Sequence, residues 1–257
     1  MDKDRVSFLA PKSNVVQTML VVLLIVSAFL IGSLTTKVSY LEKGGAGPNL
    51  AAAAPAAGNA AGQAAPAAEP TVGDVPKITE RDYAKGNRKA DIALIEYSDL
   101  ECPFCKRFHP TMEQVVKEYG NKVQWVYRHF PLDFHVNAQK EAEASECAGE
   151  LGGNDAFWKF VDAVNERTTS NGTGFALDKL VPLAKELGLP EAKFQQCLDG
   201  GKYTQYVKDS TAGGQRAGVS GTPGTIIMNL KSGKSKLIPG ALPYEQVKPM
   251  IDEIMQG

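Results

Sequence analysis

Apolar and polar positions divide the chain into three unlike stretches. From Val15 to Thr36 there is no charged residue, and Met19 to Ile31 is almost wholly apolar, long enough to cross a bilayer as one helix. Gly44 to Val75 collapses to Ala, Pro and Gly with hardly any large apolar residue, so it cannot bury a core. Beyond it, periodicity appears. The apolar run Ile92 to Ser98 predicts a strand, and Phe108, Met112, Val115, Val116 and Tyr119 at helical spacing predict a helix over Pro103 to Tyr119. Val123, Trp125 and Tyr127 alternate with more polar neighbours and predict a second strand to Phe130. Five helical stretches follow, at 137–151, 156–166, 177–187, 191–197 and 203–217, separated by breaks such as Gly152-Gly153 and Leu189-Pro190. Strands return at 225–230 and 235–238, joined by a turn at Lys231-Ser232-Gly233 as a hairpin, and a helix over 243–255 ends the pattern.

The expected organisation is a cytoplasmic tail over residues 1–14, a transmembrane anchor over 15–36, a linker over 37–75 and one folded domain over 76–257. A cleaved signal peptide competes with the anchor. The apolar stretch exceeds a usual signal core, and Gly32 to Thr36 offers no clear small-x-small cleavage site, which favours the anchor. Lys3, Arg5 and Lys12 precede the span while Lys37 and Lys43 follow it, a slight positive-inside bias. An extended linker, at about 3 Å per residue, lets the domain reach tens of ångströms from the bilayer. The net charge of −1 and the lack of a basic run argue against nucleic acid as a partner.

The candidate chemistry lies in Glu101-Cys102-Pro103-Phe104-Cys105-Lys106, directly between the first predicted strand and the first predicted helix. A helix start presents unpaired backbone N–H groups and the positive end of the macrodipole, so a cysteine there is stabilised as thiolate, the form that attacks disulfides. Cys102 is the expected nucleophile and Cys105 the resolving thiol. A lone C-x-x-C is also half of a zinc site, but two more ligands are needed from Cys147, Cys197, His109, His129 and His135, which form no second close pair. The four cysteines suit an oxidising compartment and place the bulk of the chain outside the cytoplasmic membrane. No metal and no cofactor is expected. His109 reads as a surface or capping residue, His129 and His135 as packing or hydrogen-bonding near the helical insert, and Phe157 and Trp158 as its core.

The element order, β-α-β, a helical insert at about 137–217, then β-β-α, is that of an α/β thioredoxin fold with an inserted helical domain. Glu96 to Cys105 resembles the active-site segment of the DsbA-like thiol–disulfide oxidoreductases. His129-Phe130-Pro131-Leu132 through His135-Asn137-Ala138 resembles the segment leading into their insert, and Val219-Ser220-Gly221-Thr222-Pro223 their cis-proline loop. The similarity runs from about Ile78 to Gly257, and the anchored layout resembles the membrane-tethered members. The resemblance implies that Cys102 and Cys105 pass oxidising equivalents to clients through a mixed disulfide, and that Glu96 is a semi-buried acid carrying a proton to or from Cys105. It further implies that Pro223 is cis beside the cysteines with Thr222 facing them. Cys147 and Cys197, in two helices of the insert, are expected to form a structural disulfide, in keeping with relatives that carry cysteines at similar places. The partners implied are exported proteins with free thiols and a quinone-linked membrane reoxidant of the DsbB or vitamin-K-epoxide-reductase-like type. Thr222 keeps an isomerase or reductase open as an alternative to a thiol oxidase, and a non-catalytic metal carrier built on Cys102, Cys105 and His109 is the alternative from another class.

Overall fold

A computed structural model describes residues 71–256. The expected tail, anchor and most of the linker therefore lie outside the described residues, and no described helix is long and apolar enough to cross a membrane.

The domain is built on a five-stranded sheet of β1 (Tyr83–Gly86), β2 (Ile92–Ser98), β3 (Val123–His129), β4 (Gly224–Asn229) and β5 (Ser235–Pro239), in the order β1-β3-β2-β4-β5. β2 and β3 run parallel, as the intervening helix α1 (Pro103–Tyr119) requires, and the remaining pairs are antiparallel. Every residue of β2 and β3 is buried, which explains their nearly continuous apolar character.

Alternation along β2 sends Ile92 and Leu94 to one face and Ala93, Ile95 and Tyr97 to the other. On the first face they join a large core with Phe108 and Met112 of α1 and Val247, Ile251 and Ile254 of α6 (Tyr244–Met255). On the second face a smaller core of Tyr97, Phe130, Val219 and Ile226 is approached by the C-terminal end of α5 (Thr204–Arg216). Val72 and Val75 pack against this second core, and the N–H groups of Gly73 and Asp74 donate to the carbonyls of Ala217 and Arg216 at 3.0 Å each. The last residues of the Ala/Pro/Gly-rich stretch thus lie along the domain.

The insert consists of α2 (Ala138–Arg167), α3 (Leu180–Glu186, entered through a single 3₁₀ turn), α4 (Glu191–Asp199) and α5. Where the sequence predicts two helices with a break at Gly152-Gly153, the structure carries one element kinked at Gly153, whose φ of 74° is open to glycine and strained for other residues. Cys147 of α2 and Cys197 of α4 are joined by a disulfide, with their Cα atoms 5.9 Å apart. Strand β1 has no counterpart in the sequence reading: four residues are too few for a period to show, and it is held by pairing with β3 and by Asn154 of α2, whose side-chain oxygen accepts from the Ala84 N–H at 2.9 Å.

Candidate active site

β2 delivers the chain to a tight turn before α1. The Asp99 carboxylate accepts from the N–H of Glu101 at 2.8 Å, and the Asp99 carbonyl from the N–H of Cys102 at 3.1 Å. Cys102 is thereby the N-cap of α1, with extended dihedrals (φ −79°, ψ 120°) and Pro103 at the first helical position, where its missing N–H costs nothing. The Cys102 carbonyl already accepts the first helical bond, from Lys106, at 3.0 Å. The cap makes no side-chain hydrogen bond to the helix; the sulfur turns to the cis-proline loop instead.

The two thiols are differentiated by their surroundings. Cys102 is lowered from the ordinary thiol value to about 6: the Cys105 thiol donates to it, burial opposes, and Thr222 together with the N–H groups of Cys105 and Phe104 adds further donors. Cys105, 2% exposed, is pushed well above the ordinary value by burial, reinforced by the neighbouring Cys102 thiolate and by Glu96. At neutral pH the pair is therefore one thiolate and one thiol. The Asp99 N–H points at the Cys105 sulfur, 3.5 Å away.

The Thr222–Pro223 peptide is cis, and the Cys102 thiol donates to the Thr222 carbonyl at 3.4 Å. The buried Thr222 hydroxyl makes no hydrogen bond to the neutral thiol but is placed to donate once a thiolate forms. Alongside lies a cleft of about 310 Å³ between residues 218–224 and 237–240. Phe104 between the cysteines is half exposed, with the Arg107 guanidinium 5.0 Å over its ring.

Glu96 does not face water. It is 1% exposed, accepts from the Trp125 indole N–H at 2.8 Å, and is raised above the ordinary carboxylate value by burial. Three further acids escaped the sequence reading. Asp99 is buried and accepts from the Leu132 N–H at 2.8 Å and from His135 Nδ1 at 2.7 Å, pinning the loop that leads to the insert. Glu101 accepts from the N–H groups of Gly174 (2.6 Å) and Phe175 (2.7 Å) and from the Thr168 hydroxyl (3.0 Å). Opposite it stands Glu141 of α2, fully buried and raised to about 10 by burial and by the Glu101 charge. Neither Glu141 oxygen makes a hydrogen bond; the donors from Gly174, Phe175 and Thr168, with the carboxyl of Glu141 nearby, hold Glu101 below the usual range despite burial. No local pattern marks these acids: in sequence each is an ordinary turn or helix carboxylate.

The histidines do structural work. His109 is buried rather than at the surface as expected: its Nε2 lies 2.8 Å from Asp162 on α2, and its ring meets Trp125 edge-on at 5.0 Å. His129 meets Glu146 at 2.9 Å. His109, Glu113 and Asp162 form the group among the described residues spaced to hold a metal ion. The Lys85 ammonium, 3.2 and 2.8 Å from the two carboxylates, already supplies a cation there, and neither Cys102 nor Cys105 belongs to the group.

The thioredoxin family model matches residues 79–253. The chain belongs to the thioredoxin family. Within it, the fold is that of the DsbA-like thiol–disulfide oxidoreductases. *Pseudomonas aeruginosa* DsbA2 is similar at 29% identity and a TM-score of 0.59, over 69% of this chain and 96% of that one. *Wolbachia pipientis* alpha-DsbA1 (24%, TM-score 0.58, 70% and 92% covered) and a thioredoxin-like oxidoreductase from *Silicibacter pomeroyi* (22%, 0.57, 70% and 95%) share the fold. A stretch of 156 residues, 60% of the chain, is 33% identical to the Na(+)/H(+) antiporter NhaA 1 of *Salinispora arenicola*. The chain spans about a fifth of that protein's length, 22%.

Proposed function

We propose that this protein is a thiol–disulfide oxidoreductase of the oxidase type, donating the Cys102–Cys105 disulfide to exported proteins. The observation that carries the reading is the asymmetry of the pair: Cys102 at a helix N-terminus lowered to about 6, against Cys105 buried and raised. A stabilised Cys102 thiolate favours the reduced form, which makes the disulfide a good oxidant. A client thiolate attacks the Cys102 sulfur, the Cys105 sulfur leaves and takes a proton, and a second client thiolate then releases Cys102 as thiolate and leaves with the new disulfide. The cleft beside the cis Pro223 offers a place for the client backbone next to the reacting sulfur. Glu96, buried beside Cys105, is the proposed proton partner of that thiol.

The apolar span over 15–36 supports an extracytoplasmic, membrane-anchored location, and a quinone-linked membrane protein is the reoxidant this chemistry asks for. An isomerase or reductase is the second reading, favoured by Thr222 at the position before Pro223. Equilibration of the full chain against glutathione, with Cys102 and Cys105 read by alkylation and mass, separates the reductase from the other two. A potential around −120 to −180 mV fits disulfide donation or isomerisation, and one near −270 mV makes the protein a reductant.

A further inference from the structure

A cavity of about 200 Å³ is lined by the segment 76–82, by Tyr97 of β2 and Arg128 of β3, and by the face of α5 that carries Ser210 and Arg216. Neither cysteine belongs to it. One wall is a satisfied ion pair: the Arg128 guanidinium meets Asp82 at 2.9 Å and donates to the carbonyls of Pro76 (2.9 Å) and Lys77 (3.1 Å) and to the Tyr97 hydroxyl (3.1 Å). The other cations of the lining are unmatched. Lys77, Arg81 and Arg216 make no ion pair among the described residues, and Asp209, the second acid of the lining, accepts from the Gln205 amide at 2.8 Å. Four cations against two acids leave a surplus of two positive charges, in a chain whose net charge is −1. The Arg81 guanidinium stacks 3.9 Å over the Tyr206 ring, which fixes its plane and leaves its N–H edge free. The Arg216 guanidinium folds back to Gly213, 3.8 Å from where a Cβ would stand, and Pro76 lies beside the same spot. Two hydroxyls of the lining also have a proton to give. Tyr97, 0% exposed, accepts from Arg128, and its own proton meets no acceptor among the described residues. The Ser210 oxygen is buried and makes no hydrogen bond. Buried hydroxyls ordinarily find partners, so what the lining lacks is an acceptor. Water would serve the hydroxyls and leave the surplus charge unanswered.

We propose that this cavity binds a phosphate group, that of free phosphate or of a lipid headgroup. A phosphate dianion offers acceptor oxygens to guanidinium forks and hydroxyls alike and cancels the whole surplus, where a carboxylate cancels half of it. The cavity suits a small anion, since pockets for drug-sized ligands run from roughly 300 to 1,000 Å³. Bound there, the anion joins three parts of the fold: the segment after the Ala/Pro/Gly-rich stretch through Lys77 and Arg81, the sheet through Tyr97, and α5 through Ser210 and Arg216. The site shares no lining residue with the cleft beside Pro223 and does not depend on the thiol–disulfide chemistry.

The test titrates inorganic phosphate into the full chain by calorimetry, at constant ionic strength and in a maltoside detergent, which carries no phosphate. Saturable binding is expected. Arg216→Gln weakens it roughly tenfold or more, the scale of a hydrogen bond to a charged group. Ser210→Ala weakens it roughly threefold to tenfold; this change removes a hydroxyl that has no partner in the protein alone, so it leaves folding intact. Lys159→Gln, at an exposed lysine outside the cavity, leaves the affinity unchanged. Reconstitution then separates the two sources, with vesicles of phosphatidylcholine compared with vesicles of digalactosyldiacylglycerol, whose headgroup has no phosphate. Added phosphate that binds more weakly in the first identifies the headgroup as the occupant, and equal affinity in both identifies the free ion. No saturable binding in detergent, or one affinity shared by the wild type, Arg216→Gln and Ser210→Ala, overturns the site.

Discussion

At Glu141 a residue that reads as a solvated helix carboxylate is sealed inside the protein, opposite Glu101, the residue before the nucleophile. Glu101 ties the turn that presents Cys102 to the end of α2, because it accepts from the Thr168 hydroxyl and from the N–H groups of Gly174 and Phe175. Neutral Glu141 has a pH signature. Its folded value, about 10, lies above its ordinary 4.5, so the stability it contributes is fully present below about pH 4.5 and is lost as pH rises toward 10, where the unfolded chain ionises freely and the folded one does not. The slope in that window is at most about 1.4 kcal/mol per pH unit. Glu141→Gln keeps the shape of the side chain without a proton to lose. Denaturant unfolding between pH 5 and 9 is expected to show a flatter pH dependence in the variant than in the wild type, and parallel curves would mean that Glu141 is ionised in the fold. Glu96, by contrast, was marked by the resemblance of its segment to the family's active site, and the structure adds its full burial against the Trp125 indole.

Among the elements, α2 has the closest tolerances. Its Gly149 lies against the Tyr83 ring of β1, and a Cβ built there falls 2.2 Å from the Tyr83 hydroxyl oxygen. The same ring stacks on Phe157 of α2 at 4.1 Å between centroids, so the tyrosine cannot swing away without breaking that contact. Gly149→Ala is therefore expected to destabilise by roughly 1 to 3 kcal/mol through overpacking, despite alanine's better helix propensity. Thermal melts of the two proteins measure the balance, and an unchanged or higher midpoint would show that Tyr83 relocates at little cost. The helices and the four longer strands announced themselves through period and breakers, and even the kink in α2 was marked by Gly152-Gly153. β1 was silent, because its short run has meaning only against the edge of β3 and the side chain of Asn154.

Over the whole molecule, the Cys147–Cys197 bridge closes a loop of 50 residues across the insert. In the chain-entropy picture its removal costs roughly 4 kcal/mol. The double replacement Cys147→Ala with Cys197→Ser is expected to lower the unfolding free energy by up to that amount while alkylation of Cys102 keeps its wild-type pH profile; a lost profile would instead mean that the bridge shapes the thiol site. The sequence by itself determined the alternation of strand and helix, the placing of Cys102 at a helix start and the likeness to a fold with an insert. Each of these is written in neighbouring residues through side-chain period, glycine and proline breaks and motif spacing. Only the tertiary structure decided the rest: that Glu96 and Cys105 are both sealed from solvent, that Glu141 is buried opposite Glu101, that His109 turns to Asp162, and that Thr222 brings its carbonyl to Cys102 from 120 residues away. Burial and long-range proximity set those protonation states, and both arise when the sheet closes and the insert folds over it.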